Sequence, residues 1–463
     1  MLSLKKGLFI LLVSSYGLGI NAQTKQGSLS PNTLIDQVNS HAPSLMADES
    51  AIIMSKAEAG EAAYNWLPNL KLNYQADLGT NNNVAGPYFG FGIVPSNSRG
   101  VRENNNYHAA LTNLGIIALD WELYNFGAFD ALNKVAKSKI QISQKSLEWS
   151  KFQLQNLSMA GYLQLLRYRD LLRIQSAAIE RNQDIERSIL ALAKSGVIAG
   201  VDTSIAQAEL SKSRLDYIEL SNGYKQVQLK LAYLSGLPLD SIVPDTLVQQ
   251  KLISNGIAVL AQHNVDLSNP LVELQESVYK HSLDKETAVK KGYAPKISLQ
   301  AAAWGRGSSI TSNDEFQNLS EGWGVDRSNY LVGLGISYNL SDLKRRQLKL
   351  RSQKAATAYE LSRLNAQKQE LSLQSKQAYA ELNTALERLR EIPRQLIAAK
   401  AGYRQKLSLY KNGLTNIIEL NATLAVLDRA ERDFVMAKNG YCTALLHCAV
   451  GTNQFNQILN LLR

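Results

Sequence analysis

Residues 192–210 read LAKSGVIAGVDTSIAQAEL, and residues 409–427 read LYKNGLTNIIELNATLAVL. In each, a glycine-bearing turn separates two long polar runs with leucine and alanine at helical spacing. Gly196 and Gly413 lie 217 residues apart, and the same offset joins Asp202 to Glu419, Ala208 to Ala425 and Leu210 to Leu427. A turn repeated at fixed offset marks an internal duplication. Gly196, Gly200 and Gly413 are expected as turn residues with positive φ or close packing.

The duplication extends outward from these hairpins. Pro43 and Pro270 are 227 residues apart, as are Pro68 and Pro295. The extra ten residues of the first copy fall in a loop-like excursion containing TNNNVAGPYFGFG and RENNNY. The copies close alike, with NGYKQVQLKLAYLSG at 222–236 and NGYCTALLHCAVG at 439–451. The chain therefore divides into a leader (1–22), a first repeat (23–236), a linker (237–268), a second repeat (269–451) and a tail (452–463). The leader is read from Lys5 and Lys6 ahead of a short apolar run and a small-residue site ending at Ala22.

Each repeat reads in the same order. A helical segment (about 43–66 and 270–292) precedes two strand-like stretches. Residues 70–78 place Leu70, Leu72, Tyr74, Ala76 and Leu78 opposite Lys71, Asn73, Gln75 and Asp77. Residues 117–124 and 332–340 alternate similarly, and 297–304 does so more weakly. Period two with one apolar face is a half-buried strand. From Gly127 to Gly196 and from Lys344 to Gly413 the run is 69 residues in both copies, a helix of roughly 100 Å. Leu361, Leu364, Leu371, Ala378, Leu382 and Leu389 keep coiled-coil spacing. Pro393 is expected to kink or locally break the second long helix. The helix returning from each hairpin is half as long as its partner, so the helix before the strands must cover the rest. That places the hairpins at one end of the molecule and the strands at the other.

Strands with an apolar outer and a polar inner face suit lipid outside and water inside. A spanning sheet must close, because an open edge in hydrocarbon leaves backbone groups unpaired. Barrels begin at about eight strands and this chain offers four, so copies must assemble. Trp66, Trp121, Trp304 and Tyr338 flank the strands where interfacial aromatics sit. The alternative is a small water-soluble sheet capping a periplasmic coiled-coil scaffold without a pore.

Other functions find little support. The 50 basic and 40 acidic residues give a formal charge of +10, lowered to +8 without Lys5 and Lys6. They are interspersed as on solvated helix faces, with no basic-aromatic cluster for nucleic acid. The five histidines (41, 108, 263, 281 and 447) lack metal-ligand spacing. Cys442 and Cys448 are six apart on a helical stretch, ~9 Å in rise, too far to bridge. No enzyme, cofactor or metal is expected.

The leader, the duplicated order of elements and the paired hairpins together resemble the TolC-type outer-membrane efflux protein family across essentially the whole chain after the leader. The resemblance implies a mainly α protein with a membrane β portion. Its homotrimer would form an α-helical barrel continuous with a 12-stranded transmembrane β-barrel in the outer-membrane lipid. It implies work with a periplasmic adaptor and an inner-membrane pump, as an exit duct for efflux or type I secretion. It also implies a belt built from the linker and tail, and a gate at the periplasmic tip. Asp202, Tyr410 and Glu419 occupy the family's gate positions, with Tyr410 donating to Asp202 and three Glu419 carboxylates ringing the axis. Asp202 is equally well placed to N-cap the returning helix. Thr415 stands where some members carry an arginine, and Ala422 where a second acidic residue would follow Glu419.

Overall fold

The computed structural model describes residues 28–83, 101–196, 199–261 and 269–463; the leader read at 1–22 lies outside them. Among the described residues the order is α1 (Pro31–His41), α2 (Pro43–Ala63), β1 (Asn69–Gly79), β2 (Ala110–Tyr124), α3 (Ala128–Lys194), α4 (Val201–Ser235), α5 (Leu247–Ala261), α6 (Pro270–Lys291), β3 (Lys296–Ser308), β4 (Arg327–Ser337), α7 (Asp342–Lys411), α8 (Ile417–Gly451) and α9 (Phe455–Leu461).

The two long helices have 67 and 70 residues, each about 100 Å long. Helix α3 is flanked by α2 and α4, and α7 by α6 and α8, as the length argument requires. Proline starts three of the shorter helices, where its missing N–H costs nothing. Ser30 and Asn269 cap α1 and α6 through side-chain oxygens. The expected break at Pro393 does not occur, because α7 is helical throughout Asp342–Lys411. Proline removes one donor there, and α8 runs alongside α7 past that position, with Thr423 against Gly402 and Gly451 against Ser375. The heptad residues Leu364, Leu371, Ala378 and Leu382 are buried, but Leu361 is exposed.

The main apolar core lies midway along the helices. There α1, α5 and α9 wrap the α3–α4 and α7–α8 pairs. Tyr162 pins this girdle. Its hydroxyl donates to the Leu29 carbonyl and accepts from the Asp245 amide, both at 2.7 Å. Burial pushes its pKa well up, so it remains the neutral donor. The girdle also uses α1, which the sequence reading left unassigned although Leu34, Ile35 and Val38 keep helical spacing.

The four strands form one antiparallel sheet in the order β1-β2-β3-β4, leaving β1 and β4 as edges. The strand boundaries differ from expectation in β2, which starts at Ala110, and in β4, which ends at Ser337 rather than Leu340. The last β3–β4 pair is Lys296 with Ser337. Pro295, just before it, has no N–H to continue the ladder.

Candidate functional site

Pairing fixes the two faces of the sheet. Directly paired residues share a face, so Leu72, Ile117, Ala303 and Tyr330 form one transverse row, and Leu70, Leu119, Ala301 and Val332 the next. The opposite face carries the row Asn73, Ile116, Trp304 and Asn329, and beyond it Gln75, Leu114, Arg306 and Arg327. The first face is apolar and suits lipid. The second mixes charge, amide and apolar side chains and suits a water-filled lumen.

This register sorts the four aromatics. Trp121 lies on the apolar face at the helix-side end of the sheet and donates its Nε1–H to the Trp66 carbonyl at 2.8 Å. The two rings are 6.4 Å apart, and Tyr338 follows directly on β4 at the same end. These three lie together at the helix-side end of the sheet, on or beside its apolar face. Trp304 does not: it sits on the polar face, and its assignment as a lipid-interface aromatic is corrected. The parity of β3 carried that signal, because Trp304 alternates with Ile297, Leu299, Ala301 and Ala303. Tyr74 and Tyr330 are the exposed aromatics farther out on the apolar face, Tyr330 at 84% exposure, and the sequence reading did not single them out for the interface.

Above them the β3–β4 connection folds back onto the sheet. Asn113 Nδ2 donates to the carbonyls of Gly322 and Gly324 at 2.9 and 2.7 Å. A Cβ on Gly307 would sit 1.8 Å from the Gly324 carbonyl oxygen, so only glycine admits this approach. Arg102, from the β1–β2 connection, makes a two-pronged ion pair with Asp314. The two outer connections are thereby joined.

At the other end, Gly196 and Gly413 adopt φ of 75° and 72°, left-handed geometry that favours glycine. Gly200 does not share that role. Its φ is −61° and a Cβ would meet nothing within 4 Å, so neither positive φ nor close packing applies.

The three gate positions have distinct environments. Asp202 lies in the first turn of α4, beyond the cap position held by Gly200, and makes no cap bond. Its charge there favours the helix dipole. Tyr410 is buried in the apolar cluster of the tip with Tyr403, Ile417 and Leu420. Its hydroxyl has no hydrogen-bond partner. Burial raises its pKa first, and the nearby Asp202 charge adds to the rise. The residues are thus close enough to interact electrostatically, but no bond joins them within one chain. Glu419 is exposed and already engaged: it accepts from Lys406 Nζ at 2.5 Å and Thr415 Oγ1 at 2.7 Å. Its backbone N–H donates to Asn416 Oδ1, the cap of α8. The Lys406 and Thr415 bonds hold its carboxyl below the usual range. Within its own chain Glu419 is therefore a lysine-paired carboxylate.

Sequence reasoning missed a second ionic cluster, fifteen residues before Gly196. Arg181 of α3 reaches Asp428 at 2.9 Å and Glu431 at 2.8 Å on α8, tying one hairpin to the other. The chain's arginines and carboxylates are too numerous for spacing alone to pick out this trio. Cys442 and Cys448 are free and buried, and burial pushes their thiols up to about 12 and about 11.

The outer membrane efflux protein family model matches residues 34–237 and 280–447. No curated protein matches the chain. Among solved structures, the outer-membrane channel OprN is similar at 17% identity and a TM-score of 0.72, covering 92% of this chain and 90% of that one. The Campylobacter jejuni CmeC outer membrane channel is similar at 13% identity and 0.71, covering 97% and 94%. The Vibrio cholerae outer membrane protein VceC is similar at 13% and 0.70, covering 91% and 95%. These likenesses extend over both hairpins and the sheet. The chain belongs to the outer membrane efflux protein family: it is an efflux channel of the outer membrane with helices reaching into the periplasm, and not an enzyme.

Proposed function

We propose that three copies of this chain close one 12-stranded β-barrel and one helical barrel beneath it, and that the resulting duct is gated at the hairpin tip. The observation that carries the reading is a four-stranded sheet whose two edges are unpaired among the described residues and whose apolar face is bare. In lipid such edges must find partners, and antiparallel pairing of β4 with β1 of the next copy supplies them. The repeats at 23–236 and 269–451, the linker at 237–268 and the tail at 452–463 are the units of this assembly. An adaptor and an inner-membrane pump are its partners in a tripartite efflux or type I secretion system.

The gate reading rests on Tyr410 and Asp202. A buried hydroxyl without an acceptor costs about 1–3 kcal/mol, and the Asp202 carboxylate, whose charge acts on that hydroxyl, would remove that cost by accepting from it. The lysine pair on Glu419 lessens the attraction of the tip for cations. Mass measurement in detergent tests the assembly: a trimer is expected, and a monomer defeats the proposed three-copy barrel. Single-channel recording tests the latch: Tyr410→Phe is expected to raise conductance, and an unchanged value removes the latch alone.

A further inference from the structure

The polar face of the sheet carries a constellation that a passive duct does not require. Arg306 and Arg327 are a directly paired cross-strand couple, both exposed. Like charges directly opposite one another are unfavourable in a sheet. Among the described residues no salt bridge joins either guanidinium to a carboxylate. Two acidic side chains at this end of the sheet have other partners. Asp326 Oδ2 accepts from the Ser308 amide at 2.9 Å. Asp77 Oδ2 accepts from Gln75 Nε2 at 2.6 Å, on a strand two removed from Arg306.

One row inward on the same face, Trp304 stands two residues from Arg306 and is paired with Asn329. Beyond it on β4 lies Leu331, 62% exposed. An indole beside two unpaired guanidinium groups offers a flat apolar contact next to positive charge. Arginine recognises carboxylates, sulfonates and phosphates through its planar fork, and rings of basic side chains favour anions in pores.

We propose that Trp304, Arg306 and Arg327 form a binding wall for aromatic organic anions near the outer end of the barrel, three copies facing one lumen. The proposal rests on the trimeric barrel proposed above and adds to it the charge and shape of what the wall retains. The wall favours such solutes through stacking on Trp304 and ion pairing with the two arginines. It disfavours cations of equal size.

Trimers in planar bilayers, with probe added on the side of the strand connections, test this without opening the tip. Block by 1-naphthalenesulfonate is expected at a concentration about tenfold below that for benzyltrimethylammonium, as one charge-assisted contact supplies. R306Q/R327Q is expected to raise the half-blocking sulfonate concentration about tenfold, with R306K/R327K between. Trp304→Leu is expected to weaken block by naphthalenesulfonate more than block by methanesulfonate. Equal block by anion and cation in the unaltered trimer overturns the proposal and leaves the channel intact. An unchanged response in R306Q/R327Q does the same. Should R306Q/R327Q fail to assemble, the anion–cation comparison in the unaltered trimer decides. A trimer that does not conduct removes the barrel, and this wall with it.

Discussion

Helices α3 and α7 are near twins in length and in their route to a glycine hairpin, yet their surroundings differ. Helix α3 is covered by α2, α4, α6 and α8 and buries Met159, Leu163, Leu165 and Ile189 almost completely. Among the described residues helix α7 is covered chiefly by α6 and α8, and its Tyr359, Leu373 and Ile397 are exposed, the last at 67%. On the far side of the α3 pair, α4 exposes Leu215, Ile218 and Tyr233. The same duplicated element is thus an interior helix in one repeat and a flank in the other. Bare flanks on α7 and α4 are the helical counterpart of the open edges on β4 and β1, and in the proposed trimer both would meet the next copy.

The largest effect comes from breaking the α7 flank. L373E/I397E places two carboxylates on it and is expected to abolish the trimer by light scattering in detergent while leaving helical circular dichroism intact. A surviving trimer would move the subunit contact elsewhere. Next is Leu165→Ala in the covered twin. Truncating a leucine with no exposed surface is expected to cost about 2–5 kcal/mol, read as a fall in denaturation midpoint. A loss below ~1 kcal/mol would show that α3 is less tightly held than its burial states.

Between the twins, Arg181→Met leaves Asp428 and Glu431 facing each other without their cation. The three side chains are only partly exposed, and a loss of about 1–3 kcal/mol is expected, relieved when Asp428→Asn is added. An additive double variant would contradict the coupling. The smallest effect is at the tip of α7. Glu419 has a depressed pKa in the folded chain, so its bond to Lys406 is present above the ordinary carboxylate range and is lost as pH falls through the lowered value. Lys406→Met should raise the Glu419 titration toward its ordinary value of 4.5, followed by nuclear magnetic resonance of the labelled side chain. No rise would place the cause in Thr415.

Much of this architecture was legible because it is local. The Gly196 and Gly413 turns, the 69-residue runs and the alternation in β1 depend on neighbours a few residues away, and a duplication states each of them twice. Asn416 as the α8 cap and Ser30–Pro31 as the start of α1 carried equally local signals, left unread. The gate positions were reached through family resemblance. What surrounds them was not legible: the orphaned Tyr410 hydroxyl depends on how one hairpin lies against the other, and the Lys406–Glu419 pair crosses a turn whose geometry the letters do not specify.

The sequence by itself determined a twice-used helix–strand–strand–hairpin unit, strands too few to close a barrel alone and a chain without catalytic chemistry. These follow from periodicity, turn residues and counting. Only the tertiary structure decided that Trp304 faces the polar side beside Arg306 and Arg327, that α7 rather than α3 is bare, and that Glu419 is already paired. Each of these depends on which distant segments lie side by side, and such pairing is set by packing of the whole chain rather than by the preferences of any short stretch.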